Sequence, residues 1–216
     1  MTLFSKFLLA CFVLATSIHV DAQTAEGTDS DARFKIGIAL GLNAPTLISS
    51  YTDPSLEPNS QLRPAYHFGI TTDYVLNKKY ALGGGVFLSS KGYSNADLSG
   101  DDMERFTIDY IEIPIQFNYH FYDRFRLSVG PYFALGLGGD NYGRIDGIDV
   151  EKVNYVPKSG DVSASDLESD EIPFRLFDFG LSLGIGYQVY KNFSVQIGYS
   201  RGLISINNTI VGNAVI

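Results

Sequence analysis

The stretch Tyr110–Gly139, YIEIPIQFNYHFYDRFRLSVGPYFALGLGG, decides the fold of this chain. It holds two long runs of alternating residues, and a short polar turn, Tyr122-Asp123-Arg124, joins them. Period-2 alternation predicts β-strands, and so short a connection predicts an antiparallel hairpin. Both runs are longer than the roughly five or six residues of an ordinary strand, and they match the about 9–11 tilted residues that cross a membrane.

The same alternation recurs along the chain and predicts seven strands. They are Phe34–Leu42, Ala65–Val75, Tyr80–Ser90, Phe106–Phe121, Phe125–Leu137, Phe174–Val189 and Phe193–Ile206. A change of phase near Tyr110–Ile111 predicts a β-bulge in the fourth strand. The connections alternate between long and short, which would put all the short turns of a membrane barrel on one side and all the long loops on the other. The longest connection, Gly139–Glu171, is acidic and is predicted to be irregular.

Alternation alone also fits a soluble barrel with an apolar interior, such as a lipocalin. The residues on the less apolar face of the strands distinguish a soluble barrel from a membrane barrel. A face that meets water is mostly charged and polar, whereas here it consists largely of Gly, Ala and Ser with widely spaced charges. Small residues suit the lumen of a barrel of eight strands, where side chains just fill the space. The sequence therefore predicts an all-β, antiparallel, up-and-down transmembrane barrel with its Phe, Tyr, Leu and Ile residues facing lipid.

Composition agrees with one all-β domain. Only 19% of the 216 residues are charged, the net charge is −8, and the chain has 22 Gly, 14 Tyr, 15 Phe and no Trp. A nucleic-acid partner is not expected, because no basic stripe exists to meet phosphates.

The N-terminal residues 1–22 have the pattern of a secretory signal peptide. Lys6 is followed by the apolar stretch Phe7–Ile18, and Val20-Asp21-Ala22 is a small-residue cleavage site. An alternative is the lipoprotein-like Leu8–Cys11, although cleavage there would leave a very short apolar region. Residues 23–33 are then a flexible lead, and residues 34–216 form the barrel domain.

Several motifs resemble one family: SSKGY (Ser89–Tyr93), YIEIPI (Tyr110–Ile115), VGPYFALGLGG (Val129–Gly139), FGLSLGIGY (Phe179–Tyr187) and IGYSRGLISI (Ile197–Ile206). They are similar to the outer-membrane β-barrel family of Bacteroidetes, whose members are labelled porin-family or PorT-like proteins. The resemblance implies an eight-stranded barrel in the outer membrane of a Gram-negative bacterium, inserted by the barrel-insertion machinery. It also implies, for PorT-like members, an accessory role in type IX secretion.

The chain departs from this family at its C-terminus. The family ends in a strand with a terminal aromatic residue, whereas this sequence ends Asn213-Ala214-Val215-Ile216. Thr209–Ile216 is also short for a spanning strand. We therefore expect the eighth strand to be missing or incomplete, either because the sequence is truncated or because that strand forms poorly.

No catalytic, cofactor or metal site is predicted. His67 and His120 fall on the lumenal phase, and a hydrolase site with Ser128 and Glu112 is conceivable, but hydrogen-bonded lumenal histidines are the simpler interpretation. Charged residues on the same phase predict an internal salt-bridge network, with an ion path as the alternative; they are Lys35, Asp73, Glu112, Arg126 and Asp178. The acidic Gly139–Glu171 segment lacks the spacing of an EF-hand.

One candidate contact lies on the outer face. Arg201 follows the lipid-facing phase of the seventh strand, near the outer edge of the apolar band, where a guanidinium could bind lipopolysaccharide phosphate. The alternative is a bulge at Ser200–Gly202 that turns Arg201 into the lumen.

Three functions are compatible with this sequence. The first is a non-enzymatic barrel whose external loops contact surface, envelope or secretion proteins. The second is a narrow passive channel, and the third is an outer-membrane hydrolase that depends on His120. The alternation of long and short connections predicts that Gly139–Glu171 lies outside the cell and that the N-terminus is periplasmic.

Overall fold

The fold is taken from a computed structural model. It describes residues 7–8, 10–11, 17–22, 33–45, 48–49, 60–61, 64–96, 103–145, 148–159, 162–163, 171–190, 192–204 and 210–211. Ten strands carry the architecture: β1 (Ser17–Ala22), β2 (Phe34–Asn43), β3 (Ala65–Val75), β4 (Tyr80–Ala96), β5 (Met103–Tyr122), β6 (Phe125–Ile145), β7 (Ile148–Lys158), β8 (Glu171–Arg175), β9 (Phe177–Tyr190) and β10 (Phe193–Gly202). Among these residues, no helix is long and apolar enough to cross a membrane.

Seven long strands form one antiparallel sheet in the order β2, β3, β4, β5, β6, β9, β10. The predicted antiparallel all-β fold is confirmed. The short connections from β3 to β4, from β5 to β6 and from β9 to β10 mark one end of the sheet, which we call the turn end, and the opposite end is the loop end.

The outward face of the sheet is apolar, as the alternation predicts. Along β6, Val129, Phe133 and Leu137 are exposed, whereas Ser128, Tyr132 and Ala134 on the alternate phase are buried. Near the turn end the outward face carries two groups of contacting rings, the pair Phe34–Tyr74 and a chain that begins at Tyr80, a pattern typical of the membrane–water interface. These rings are Phe34, Tyr74, Tyr80, Phe117, Tyr119, Phe121, Tyr122, Phe125 and Tyr187.

The loop end is more regular than predicted, because the strands continue beyond the barrel wall. β4 runs to Ala96, β5 begins at Met103, and β6 continues to Ile145. In the segment expected to be an irregular loop, Gly139–Glu171, the described residues 139–145 form the end of β6 and 148–158 form β7, and these two pair with each other. β8 then pairs in parallel with β7, so the predicted strand Phe174–Val189 is divided at Leu176.

The predicted bulge near Tyr110–Ile111 was placed on the wrong strand. The register shift occurs on the partner strand β6, between Gly136 and Gly138, opposite Tyr110 and Asp109. In β5 the even-numbered residues from Phe106 to Asn118 are buried, apart from the half-buried Gln116. What changes along β5 is the character of the lumenal residues, which are polar near the turn end and apolar near the loop end.

One position in the barrel is filled unexpectedly. β1, which lies in the predicted signal peptide, sits between β10 and β2 and is antiparallel to both. It pairs at four positions of β10 and five of β2, although each of those strands has ten residues, so the barrel is not closed along its full height. Near the C-terminus, where the eighth strand was expected to be missing or incomplete, the described residues Ile210–Val211 pair with Val162–Ser163.

Candidate functional site

The charged lumenal residues form two ion-paired networks at different levels of the barrel. In the first, the Lys91 ammonium lies 3.1 Å from Glu112 Oε2 and 3.1 Å from Asp178 Oδ2. These side chains come from β4, β5 and β9. Lys91 therefore links β4 across the lumen to β9, a strand that is not its neighbour in the sheet. All three are buried. Charges taken out of water must be paired, and this geometry pairs one cation with two carboxylates.

Two tyrosines complete this Lys91 cluster. The ammonium lies 4.9 Å from the ring centroid of Tyr110 and 4.5 Å from that of Tyr132, within the range of cation–π attraction. The Tyr132 hydroxyl also donates a hydrogen bond to Asp178 Oδ2, at 3.2 Å. The two rings therefore add to the stabilisation of the Lys91 ammonium, and the Tyr132 hydroxyl also holds the Asp178 carboxylate that accepts from Lys91.

The second network surrounds Arg126, nearer to the turn end. The guanidinium donates from Nη1 to Asp73 Oδ2 at 3.3 Å and from Nη2 to Gln196 Oε1 at 2.8 Å. Asn118 Nδ2 donates to the other oxygen of Asp73, at 2.8 Å. A Cβ atom on Gly83 would lie 2.6 Å from Asp73 Oδ1, so only glycine leaves room for this network.

Two small cavities occupy the polar part of the lumen. One of about 90 Å³ reaches from the Lys91 cluster to Arg126, and the other, of about 70 Å³, continues to the turn end past Lys35, His120 and Arg124. Asp73 and Arg126 line both, so this ion pair stands between them. Each cavity is large enough for several water molecules, since one water needs roughly 10–15 Å³.

An apolar cluster fills the loop-end half of the lumen, and we call it the cap. Its buried members are Phe106, Ile108, Tyr110, Tyr132, Ala134 and Phe174, with Tyr155 packed against them. Phe174 belongs to β8 and its ring lies directly on Gly136, where a Cβ would collide with it. The rings of Phe174 and Tyr110 are 6.2 Å apart, edge to face. The cap places buried, mostly apolar side chains between the Lys91 cluster and the loop end.

The structure brings together four of the five charges predicted for the lumen. Asp73, Glu112, Arg126 and Asp178 belong to the two networks, which confirms the predicted internal salt bridges, and Lys35 is exposed beside the turn-end cavity. The sequence interpretation missed Lys91 because it ended the third strand at Ser90. The sequence did contain a signal for Lys91. The odd-numbered residues of that strand face the lumen, and the same alternation places Lys91 on the lumenal face once the strand is extended beyond Ser90.

The histidines do not form a hydrolase site in the described part of the chain. His67 stacks on Phe87 with ring centroids 4.5 Å apart, and His120 lines the turn-end cavity. Ser128 is fully buried, and no hydrogen bond joins its hydroxyl to either described histidine. In the described residues, no group of three His, Cys, Asp or Glu side chains is placed to hold a metal ion.

Arg201 lies on the outward face of β10. It is exposed and pairs with Leu181 of β9, in a register that runs without a shift from Ser200 to Gly202. The alternative of a bulge that turns Arg201 into the lumen is therefore wrong.

These features define a membrane barrel with an apolar exterior and a filled lumen, and comparison with known families agrees. A family model described as an outer membrane protein beta-barrel domain matches residues 21–208. The chain belongs to this outer-membrane β-barrel family, whose members are generally not enzymes. Searches of curated proteins and of solved structures found no match.

The Lys91 cluster yields a stability prediction. Lys91→Met keeps most of the side-chain length but leaves two buried carboxylates without their shared cation. We expect the free energy of unfolding in lipid vesicles, measured by denaturant titration, to fall by about 3–5 kcal/mol. Adding Glu112→Gln and Asp178→Asn to Lys91→Met should restore much of the loss. A triple variant that is less stable than Lys91→Met would contradict the electrostatic origin of the effect.

Proposed function

We propose that this protein is a non-conducting, non-enzymatic outer-membrane barrel whose working surface is the sheet that extends from its loop end. The observation that carries the proposal is the cap. Its close-packed aromatic and aliphatic side chains occupy the lumen above the Lys91 cluster, and the polar cavities lie below that level. A solute that entered from the turn end would therefore meet an ion-paired cluster and then a buried, mostly apolar layer.

The strand lengths support a role for the loop end. β4, β5 and β6 have 17, 20 and 21 residues, whereas about 9–11 residues suffice to cross the membrane. The surplus lies at the loop end, where β6 pairs with β7 and β7 with β8. Hydrogen-bonded strands make this extension a defined surface, which suits contact with surface or envelope proteins. The narrower role in type IX secretion rests on the PorT-like resemblance and stays a prediction.

Conductance tests the first part of this proposal. Purified protein in planar bilayers should show no steady single-channel openings under conditions in which a general porin conducts. The physical reason is that opening a water path requires displacing the cap as well as the Lys91 cluster. Steady openings of the unmodified protein would overturn the proposal and favour the alternative, a narrow passive channel.

Orientation tests the second part. We place the loop end outside the cell and the turn end in the periplasm, because short turns are periplasmic in this class of barrel. An epitope tag inserted between Asp146 and Gly147, which connect β6 and β7, should bind antibody on intact cells. The matched control is the same tag in the turn between Asp123 and Arg124, which should bind only after the outer membrane is opened. The reverse pattern would invert the assignment.

We also propose that Arg201 binds lipopolysaccharide phosphate. Arg201 is the penultimate residue of β10, close to the loop end, and among the described residues no salt bridge involves it. A guanidinium at the edge of the apolar band costs only about 0–1 kcal/mol and can reach the headgroup layer. In the headgroup layer the guanidinium can bind a phosphate through two parallel hydrogen bonds.

Replacing Arg201 distinguishes a contact with lipopolysaccharide from a role in the stability of the barrel. Arg201→Leu should lower the amount of lipopolysaccharide that copurifies with the barrel, measured per mole of protein, while the heat-dependent shift on gels is retained. Arg124→Leu, an exposed arginine at the turn end, is the matched control and should change nothing. Normal lipopolysaccharide retention by Arg201→Leu would exclude the contact.

A further inference from the structure

We propose that the turn-end cavity binds a small oxyanion of the phosphate or sulfate type. The inference concerns a binding site and goes beyond the function proposed above. The cavity has a volume of about 70 Å³, and the exposed residues Asp123, Arg124 and Gln188 stand at its mouth. It holds on the order of five water molecules, at roughly 10–15 Å³ for each. A phosphate ion is of similar size.

The wall of this cavity carries more positive than negative charge. Lys35, Arg124 and Arg126 line it, together with the carboxylates of Asp73 and Asp123. The cations come from β2, from the turn between β5 and β6, and from β6, so they converge on one space from different parts of the sheet. Within the described residues, the only ion pair among these five side chains is Arg126–Asp73. A cleft with an excess of one charge attracts a ligand of the opposite charge.

Lys35 lacks the partner that its position suggests. It lies directly opposite Asp73 on the neighbouring strand β3, an arrangement in which opposite charges attract. The two carboxylate oxygens of Asp73 instead accept hydrogen bonds from Asn118 and Arg126. Lys35 forms no ion pair in the part of the chain that the structure describes. Its ammonium can therefore contribute a full positive charge to a bound anion.

Arg126 supplies further donors at the inner end of the cavity. A guanidinium has five N–H groups, more than its hydrogen bonds to Asp73 and Gln196 use. Gly186 lines the cavity beside it, and a Cβ atom on this glycine would lie 3.5 Å from Arg126 Nε. The missing side chain leaves space next to that nitrogen. Guanidinium groups suit the oxygens of a phosphate in both geometry and charge.

Two sources of such an oxyanion share this chemistry. One is a free ion in water that enters at the turn end, and the other is the headgroup phosphate of a phospholipid. Both would place phosphate oxygens between Lys35 and Arg126. The proposal covers the oxyanion itself, and the experiments below distinguish the two sources.

The first experiment measures binding of inorganic phosphate. The purified barrel, in maltoside detergent and a low-salt buffer free of phosphate and sulfate, is titrated in a calorimeter. We expect saturable binding of one phosphate per barrel, weakened by added sodium chloride because salt screens exposed charges. Lys35→Gln should lower the affinity about tenfold or more, as expected when a charge-assisted hydrogen bond is lost. Gly186→Val should also lower it, because the new side chain fills the space beside Arg126 without changing the charge.

The matched control is Lys78→Gln. Lys78 is an exposed lysine at the same end of the barrel, and it does not line the cavity. Its replacement should leave the affinity for phosphate unchanged, and the heat-dependent shift on gels verifies that each variant is folded. Two results would overturn the proposal: no saturable binding by the unmodified, heat-modifiable protein, or an equal loss of affinity in Lys78→Gln and Lys35→Gln.

The second experiment identifies the source of the oxyanion. The phosphate titration is repeated in micelles that contain phosphatidylglycerol. A fall in apparent affinity that follows the lipid content, and that Lys35→Gln abolishes, would assign the site to a lipid headgroup. An unchanged affinity would assign it to a soluble ion. The channel test and the epitope-tag test are independent of these results, so failure of this proposal and failure of the proposed function are distinguishable.

Discussion

The structure depends on one constraint, which is that lipid offers no hydrogen-bond partner to the backbone. Each N–H and C=O in the hydrocarbon region must therefore bond to a neighbouring strand. This explains the long ladders that join β2, β3, β4, β5, β6, β9 and β10, the short turns at one end, and the apolar outward face. It also makes the space between β10 and β2 the weakest part of the wall, since β1 pairs there over only part of each neighbour.

A second constraint is the narrow lumen. Eight strands enclose just enough space for side chains, so a charge on one wall readily meets a charge on another. Lys91 reaches Asp178 from β4 to β9, and Arg126 reaches Asp73 from β6 to β3. Such pairing offsets the cost of burying ions only when the geometry is good. Glycines such as Gly83 provide the room, which accounts for the small residues on the lumenal face.

The sequence allowed the fold class, the order of the seven long strands and most of their faces to be predicted, because a period of two is a strong signal. It did not allow the cap to be predicted. Phe106 and Ile108 are lumenal and apolar, and an apolar residue on a membrane strand gives no indication of whether it faces lipid or a dry interior. The change in character at Tyr110 was therefore interpreted as a change of phase. Lys91 and β7 were missed for a related reason, since polar sequences at the loop end resemble loops even when they form strands.

The position of Phe174 links the exterior of the protein to its interior. This side chain belongs to β8, which is held by β7 at the loop end, yet its ring packs against Tyr110 inside the barrel. Tyr155 of β7 likewise contacts Phe106, with ring centroids 4.6 Å apart. A movement of the β7–β8 pair would therefore shift Phe174 and Tyr155 against Tyr110 and Phe106, which belong to the wall strand β5. The extension at the loop end and the packing inside the lumen are thus coupled through these two ring contacts.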